Sequence, residues 1–196
     1  MRHARLYLTF ALPLAMSAAA SAAIVISNVS VLGASVVQQG YEGSNGYSIV
    51  FSAADAAAKG NGASKTITLS YTVSSTDSIV GYQYSPLGTV FRGDVGTIIN
   101  HGIQSDSYAW SSPITATQTA DLTQPAAQGL SGLTSYNVTA TIDLSTLSST
   151  PRNRLGVAAL TQYNIAYNTQ AVPEPASLAA LAVGGFALLR RRRNRS

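Results

Sequence analysis

Six aromatic residues, Tyr82, Tyr84, Tyr108, Trp110, Tyr163 and Tyr167, hold the most suggestive chemistry in the sequence. A tyrosine or tryptophan pairs an apolar face with a polar edge, the surface that stacks on a sugar ring. Tyr82, Tyr84, Tyr108 and Trp110 are therefore the candidate ligand-stacking set, with extracellular polysaccharide as the matching ligand. The competing reading is that these rings fill the core and the sheet edges of a β-protein, and that reading is preferred.

Other reactive groups are sparse. His101 is the only histidine beyond the first few residues. Serines and aspartates are plentiful, but none of the serines sits in a nucleophile-elbow pattern, so His101 is expected as a surface histidine of a loop or strand and no catalytic residue is assigned. With no cysteine and no clustered acids there is no ligand spacing for zinc or calcium, and no metal or cofactor is expected. Arg92-Gly93-Asp94 reproduces an adhesion tripeptide but is read as a turn, since Gly and Asp are turn residues. Asn28-Val29-Ser30 and Asn137-Val138-Thr139 have the form of glycosylation acceptors and are read as chance occurrences inside strands.

The elements that would position these residues are strands. In Lys65 to Ser75, Ile67, Leu69, Tyr71 and Val73 alternate with Thr66, Thr68, Ser70 and Thr72, the period of a half-buried strand. Tyr136 to Leu144 repeats the pattern. Further strands are expected at Ile24 to Leu32, Tyr47 to Ala53, Ser78 to Tyr84, Thr89 to Phe91, Thr97 to Asn100, Ile114 to Thr119 and Leu155 to Tyr167, separated by Gly, Asn, Pro and Ser turns. One short helix is expected, over Ala53 to Lys59. Many short antiparallel strands argue for an all-β, two-sheet sandwich of jelly-roll or immunoglobulin-like kind over residues 24–170, flanked by a helix at each end.

Charge separates the ends from the middle. The formal charge is +4, yet seven of the twelve basic residues lie in the first five and last seven positions. The middle carries five basic residues against seven acidic ones, a net of −2. Nucleic-acid binding needs clustered Lys and Arg on the folded domain, so nucleic acid is excluded as a partner.

Residues 1–23 have the three parts of a secretory signal peptide: Arg2 and Arg5, the apolar run Leu6 to Met16, and the small residues Ser17 to Ala23. Ala20 with Ala22, or Ser21 with Ala23, suits signal peptidase, so cleavage is expected after Ala22 or Ala23. At the other end, residues 171–196 read Val172-Pro173-Glu174-Pro175, an apolar stretch from Ala176 to Leu189, and then Arg190, Arg191, Arg192 and Arg193. Fourteen apolar residues make about 21 Å of helix against a hydrocarbon core of ~30 Å, a marginal span. Arginines beside a span stay on the cytoplasmic side, which puts the domain outside.

This order of motif, short helix and arginine run resembles the PEP-CTERM sorting tail. The resemblance covers only the last 25 or so residues of 196. It implies export, transient anchoring in the inner membrane, and cleavage near Pro173 to Pro175 by an exosortase, leaving the protein at the cell surface or in the extracellular matrix. The domain between the ends is then expected to be a non-enzymatic structural or binding module. A carbohydrate-binding module is the first alternative, and a secreted hydrolase built on His101 or a carboxylate pair is the second.

Overall fold

The computed structural model describes residues 23–113, 120–122, 126–148 and 155–171. The expected signal peptide up to residue 22, the tail from Val172 onward and the expected strand Ile114 to Thr119 lie outside the described residues.

The described chain is all-β. Its strands are β1 (Val25–Leu32), β2 (Val36–Glu42), β3 (Gly46–Phe51), β4 (Ala57–Gly60), β5 (Ser64–Tyr84), β6 (Leu87–Phe91), β7 (Gly93–His101), β8 (Gln104–Ser112), β9 (Ala120–Asp121), β10 (Ala126–Thr146) and β11 (Gly156–Gln170). All pairings are antiparallel, and the main path runs β2-β3-β11-β5-β10-β7-β8.

The two stretches of clean alternation pair with each other. Ile67 lies opposite Ile142, Leu69 opposite Ala140, Tyr71 opposite Val138 and Val73 opposite Tyr136. All eight side chains are buried, while Thr66, Thr68, Ser70 and Thr72 keep solvent on the other face. This is the centre of the core, where trimming one of the buried aliphatic side chains to alanine costs about 2–5 kcal/mol.

Instead of two separate sheets there is one hydrogen-bonded sheet that folds over itself. The cause is the length of β5 and β10, 21 residues each. The first half of β5 pairs with β1 and the last part of β10, whereas its second half pairs with β11 and the start of β10. Register breaks at Gly129/Leu133 and Leu133/Ser135 mark where the ladder turns. One layer holds β1, β7, β8 and the first half of β5, and the other holds β2, β3, β11 and its second half. Side chains meet between them, as where the Tyr71 hydroxyl lies 3.0 Å from those of Tyr163 and Tyr167. This arrangement is consistent with a β-sandwich.

The expected helix at Ala53 to Lys59 is not formed. Residues 53–55 make a turn, in which the Asp55 and Ala56 amides donate to the Ser52 carbonyl, and β4 follows, paired with β11. A seven-residue alanine-rich segment has the propensity for helix but is too short to nucleate one alone. The ladder to β11 and the burial of Ala56 and Ala58 decide the outcome. Of Arg92-Gly93-Asp94, read as a turn, only Arg92 is the corner between β6 and β7, at φ 51° with its guanidinium 4.5 Å above the Phe91 ring, while Gly93 and Asp94 already pair with β10 as the start of β7.

Candidate functional site

The aromatic residues are turned inward. Tyr82 and Tyr84 end β5 on its inner face, opposite Tyr167 and Ile165 of β11, and Tyr82, Tyr84, Tyr163 and Tyr167 are all fully buried. Ring centroids lie 5.2 Å apart for Tyr84 and Tyr163, and 5.3 Å for Tyr84 and Tyr108. The expectation of Tyr82 and Tyr84 as ligand-stacking residues is therefore corrected, because the alternation of β5 carries both into the core. Tyr108 and Trp110 project from the edge strand β8, partly buried against that core and stacked on each other at 6.4 Å.

Their hydroxyls form two hydrogen-bonded groups. Tyr82 donates to Asp106 Oδ2 at 2.8 Å and so accepts from Tyr108, whose hydroxyl is 2.9 Å away. Tyr71 links Tyr163 to Tyr167, and Tyr167 reaches His101 Nε2 at 3.1 Å. Burial away from water raises the pKa values of Tyr71, Tyr82, Tyr163 and Tyr167 well above the ordinary tyrosine value, since a phenolate there would lose its hydration. Each hydroxyl stays protonated and serves as a hydrogen-bonding joint between the layers.

His101 was expected on the surface and is instead 1% exposed, at the end of β7. Tyr82 lies 4.4 Å from its ring, and Tyr136 and Tyr167 close the other sides. Burial lowers its pKa to about 4, against a smaller upward pull from Asp106. The imidazole is neutral at pH 7, and its buried Nδ1 has no hydrogen-bond partner. Among the described residues no three His, Cys, Asp or Glu side chains gather as metal ligands.

The clefts are elsewhere, on the outer face of the layer that contains β2, β3 and β11. Three cross-strand rungs form that face. One runs Glu42, Gly46, Ala166, Gln83; the next Gly40, Ser48, Asn164; the third Gln38, Val50, Gln162. Small residues make the floor, and amides with one carboxylate make the walls. Two clefts of about 280 and 260 Å³ lie on this face, and Glu42 lines both. Gln162 stands on the floor, its Nε2 donating to Ser48 Oγ at 2.6 Å and to Glu42 Oε1 at 3.3 Å. The Asn164 Oδ1, a buried acceptor beside the first cleft, has no partner. A Cβ built on Gly40 meets nothing within 4 Å, so the space above that floor position is open.

Strand β11 leads from this face into the C-terminal segment. Its last residue, Gln170, is exposed and pairs with Ser78. Residues 171–193 match the PEP-CTERM protein-sorting motif. The PEP-CTERM match begins one residue after β11 ends and takes in Val172, Pro173, Glu174, Pro175 and Arg190 to Arg193, all outside the described residues. No curated protein matches the chain. Among solved structures, that of TmCBM61 in complex with beta-1,4-galactotriose is similar over 72% of this chain and 86% of that one, with 13% identity and a TM-score of 0.33. A likeness at that score carries no argument.

None of the groove residues stood out in the sequence. Gln38, Glu42, Ser48, Gln83, Gln162 and Asn164 are common surface types spread over 127 positions, and only the ladder brings them together.

Proposed function

We propose that this chain is an exported precursor, held briefly in the inner membrane by its PEP-CTERM tail, and that its β-domain works outside the cell as a non-enzymatic structural or binding module. The match of residues 171–193 to the sorting motif carries the reading. Signal peptidase acts behind Ala22 or Ala23 and an exosortase near Pro173 to Pro175. The short apolar stretch pauses the precursor in the bilayer, the arginines hold its end on the cytoplasmic side, and cleavage releases the domain to the cell surface or the extracellular matrix. The sealed position of His101 supports a role without catalysis, because a substrate reaches that imidazole only if the surrounding rings move.

A second reading is favoured by the outer groove: the binding partner is extracellular polysaccharide, met by hydrogen bonds from amides rather than by an aromatic row. The primary reading is tested in the native host by replacing Pro173, Glu174 and Pro175 with alanine. Two prolines keep the segment extended and open to a membrane protease. The variant is expected to stay in the membrane fraction at its uncleaved size while the wild type leaves it. Equal processing of the two proteins would count against the proposal.

A further inference from the structure

The outer groove has a composition that narrows its ligand. Among the described residues, Glu42 is the only charged side chain lining either cleft, and none of the described lysines or arginines lines them. Amides and hydroxyls supply the rest of the polar lining, among them Gln38, Gln83, Asn164, Gln162, Ser48 and Ser85, and the exposed Tyr41 ring borders the second cleft. An amide side chain donates and accepts at once, which matches a sugar hydroxyl that does the same. A carboxylate accepts from two neighbouring hydroxyls through charge-assisted bonds. Peptide recognition asks instead for apolar pockets at alternate side chains, and here the floor is Gly40, Gly46, Ser48 and Ala166, with Val50 the larger apolar side chain on the third rung.

Size and layout agree with that chemistry. Each cleft, at about 280 and 260 Å³, falls just short of the range of pockets for drug-sized molecules, which begins at ~300 Å³, and takes about one sugar ring. The two share Glu42, and Gln162 of the second cleft is bonded to both Ser48 and Glu42. A linear ligand can therefore occupy both. The floor is fixed by the ladder: a Cβ on Gly46 would press into the Glu42 carbonyl oxygen at 2.5 Å, so a larger residue there disturbs the β2–β3 hairpin. Gly40 has no such neighbour and is a free position on the same face.

We propose that this groove binds a neutral polysaccharide chain, two adjacent sugar units at a time, with Glu42 as the shared acceptor and the amides of Gln83, Asn164 and Gln38 as the flanking contacts. The proposal rests on the polysaccharide-binding reading given above. Asn164 contributes an acceptor that the fold leaves unsatisfied, and a sugar hydroxyl supplies its donor once the amide turns outward.

The test uses the full-length chain in a detergent without a sugar headgroup, immobilised and probed by biolayer interferometry with neutral glucans, mannans and galactans and with anionic alginate. At least one neutral polysaccharide is expected to bind ten-fold or more tightly than alginate. Glu42→Gln keeps the shape and removes the charge, and is expected to weaken that binding about ten-fold. Gly40→Tyr fills the open floor without touching the fold and is expected to abolish it with Tm unchanged, while Ser107→Asn on β8 binds as wild type. Binding of a neutral polysaccharide that Gly40→Tyr and Glu42→Gln leave intact would overturn the groove and spare the polysaccharide reading. Failure of every neutral polysaccharide to bind would overturn both, and preference for alginate would overturn the assigned ligand class.

Discussion

His101 shows how position decides what a residue type can do. From sequence it is one imidazole among many serines and aspartates; in the fold it is enclosed by Tyr82, Tyr136 and Tyr167 and bonded to the Tyr167 hydroxyl. Its pKa falls from the ordinary 6.5 to about 4 because burial disfavours the charged form, an effect that the nearby Asp106 charge only partly offsets. Above pH 6.5 the imidazole is neutral in the folded and unfolded chain alike, so its full contribution to stability is present there. Between 6.5 and 4 the unfolded chain binds the proton and the folded one does not, so stability is lost as the pH is lowered through this window. The loss amounts to about 3 kcal/mol and is complete below the folded value. Urea unfolding of wild type and His101→Phe from pH 7.5 to 4 checks this. The stability of the wild type relative to the variant is expected to drop by that amount across the window, and parallel curves would refute the assignment.

Glycines make the equivalent point for a whole strand. Gly93 begins β7 where the chain leaves the Arg92 corner, and a Cβ there would collide with the Ser145 carbonyl of β10. Gly96, three residues along the same strand, has nothing within 4 Å of its Cβ position. Gly93→Ala is expected to cost about 1–3 kcal/mol through displacement of the β7–β10 ladder. Gly96→Ala is expected to be neutral or stabilising by a few tenths to about 1 kcal/mol, since it only restricts the unfolded chain. Thermal unfolding of the two variants side by side separates these outcomes.

The same elements show what sequence patterning conveys. The centre of β5 and of β10 was legible because one face is fully buried, which forces strict alternation. Strands β2 and β8 were not: Val36–Glu42 and Gln104–Ser112 lie at the two ends of the sheet path, where little of the strand is buried and polar residues suffice. The continuity of β5 through Ser74 to Asp77 was hidden for a related reason, as a polar run reads as a turn, whereas here it carries the strand across the break between the Ser74–Ser135 and Ile79–Leu133 pairs. The groove lies beyond sequence patterning altogether, because its rungs are set by the register of β11 on β3, more than a hundred residues earlier in the chain, and on β5.

At the scale of the whole molecule the chain divides into an address and a cargo. Basic residues gather at the two ends, and the middle is weakly acidic, so its surface offers hydroxyls and amides rather than charge. The tail match accounts for the C-terminal end, and the proposed export signal accounts for the N-terminal one. Mass spectrometry of the mature protein, recovered from the surface or matrix of its native host, tests both together. The account predicts a first residue at or next to Ile24, a last residue within or close to Pro173 to Pro175, and no peptide from Ala176 to Ser196. A surface protein that retains Ala176 to Ser196 would contradict it and make the tail a permanent anchor.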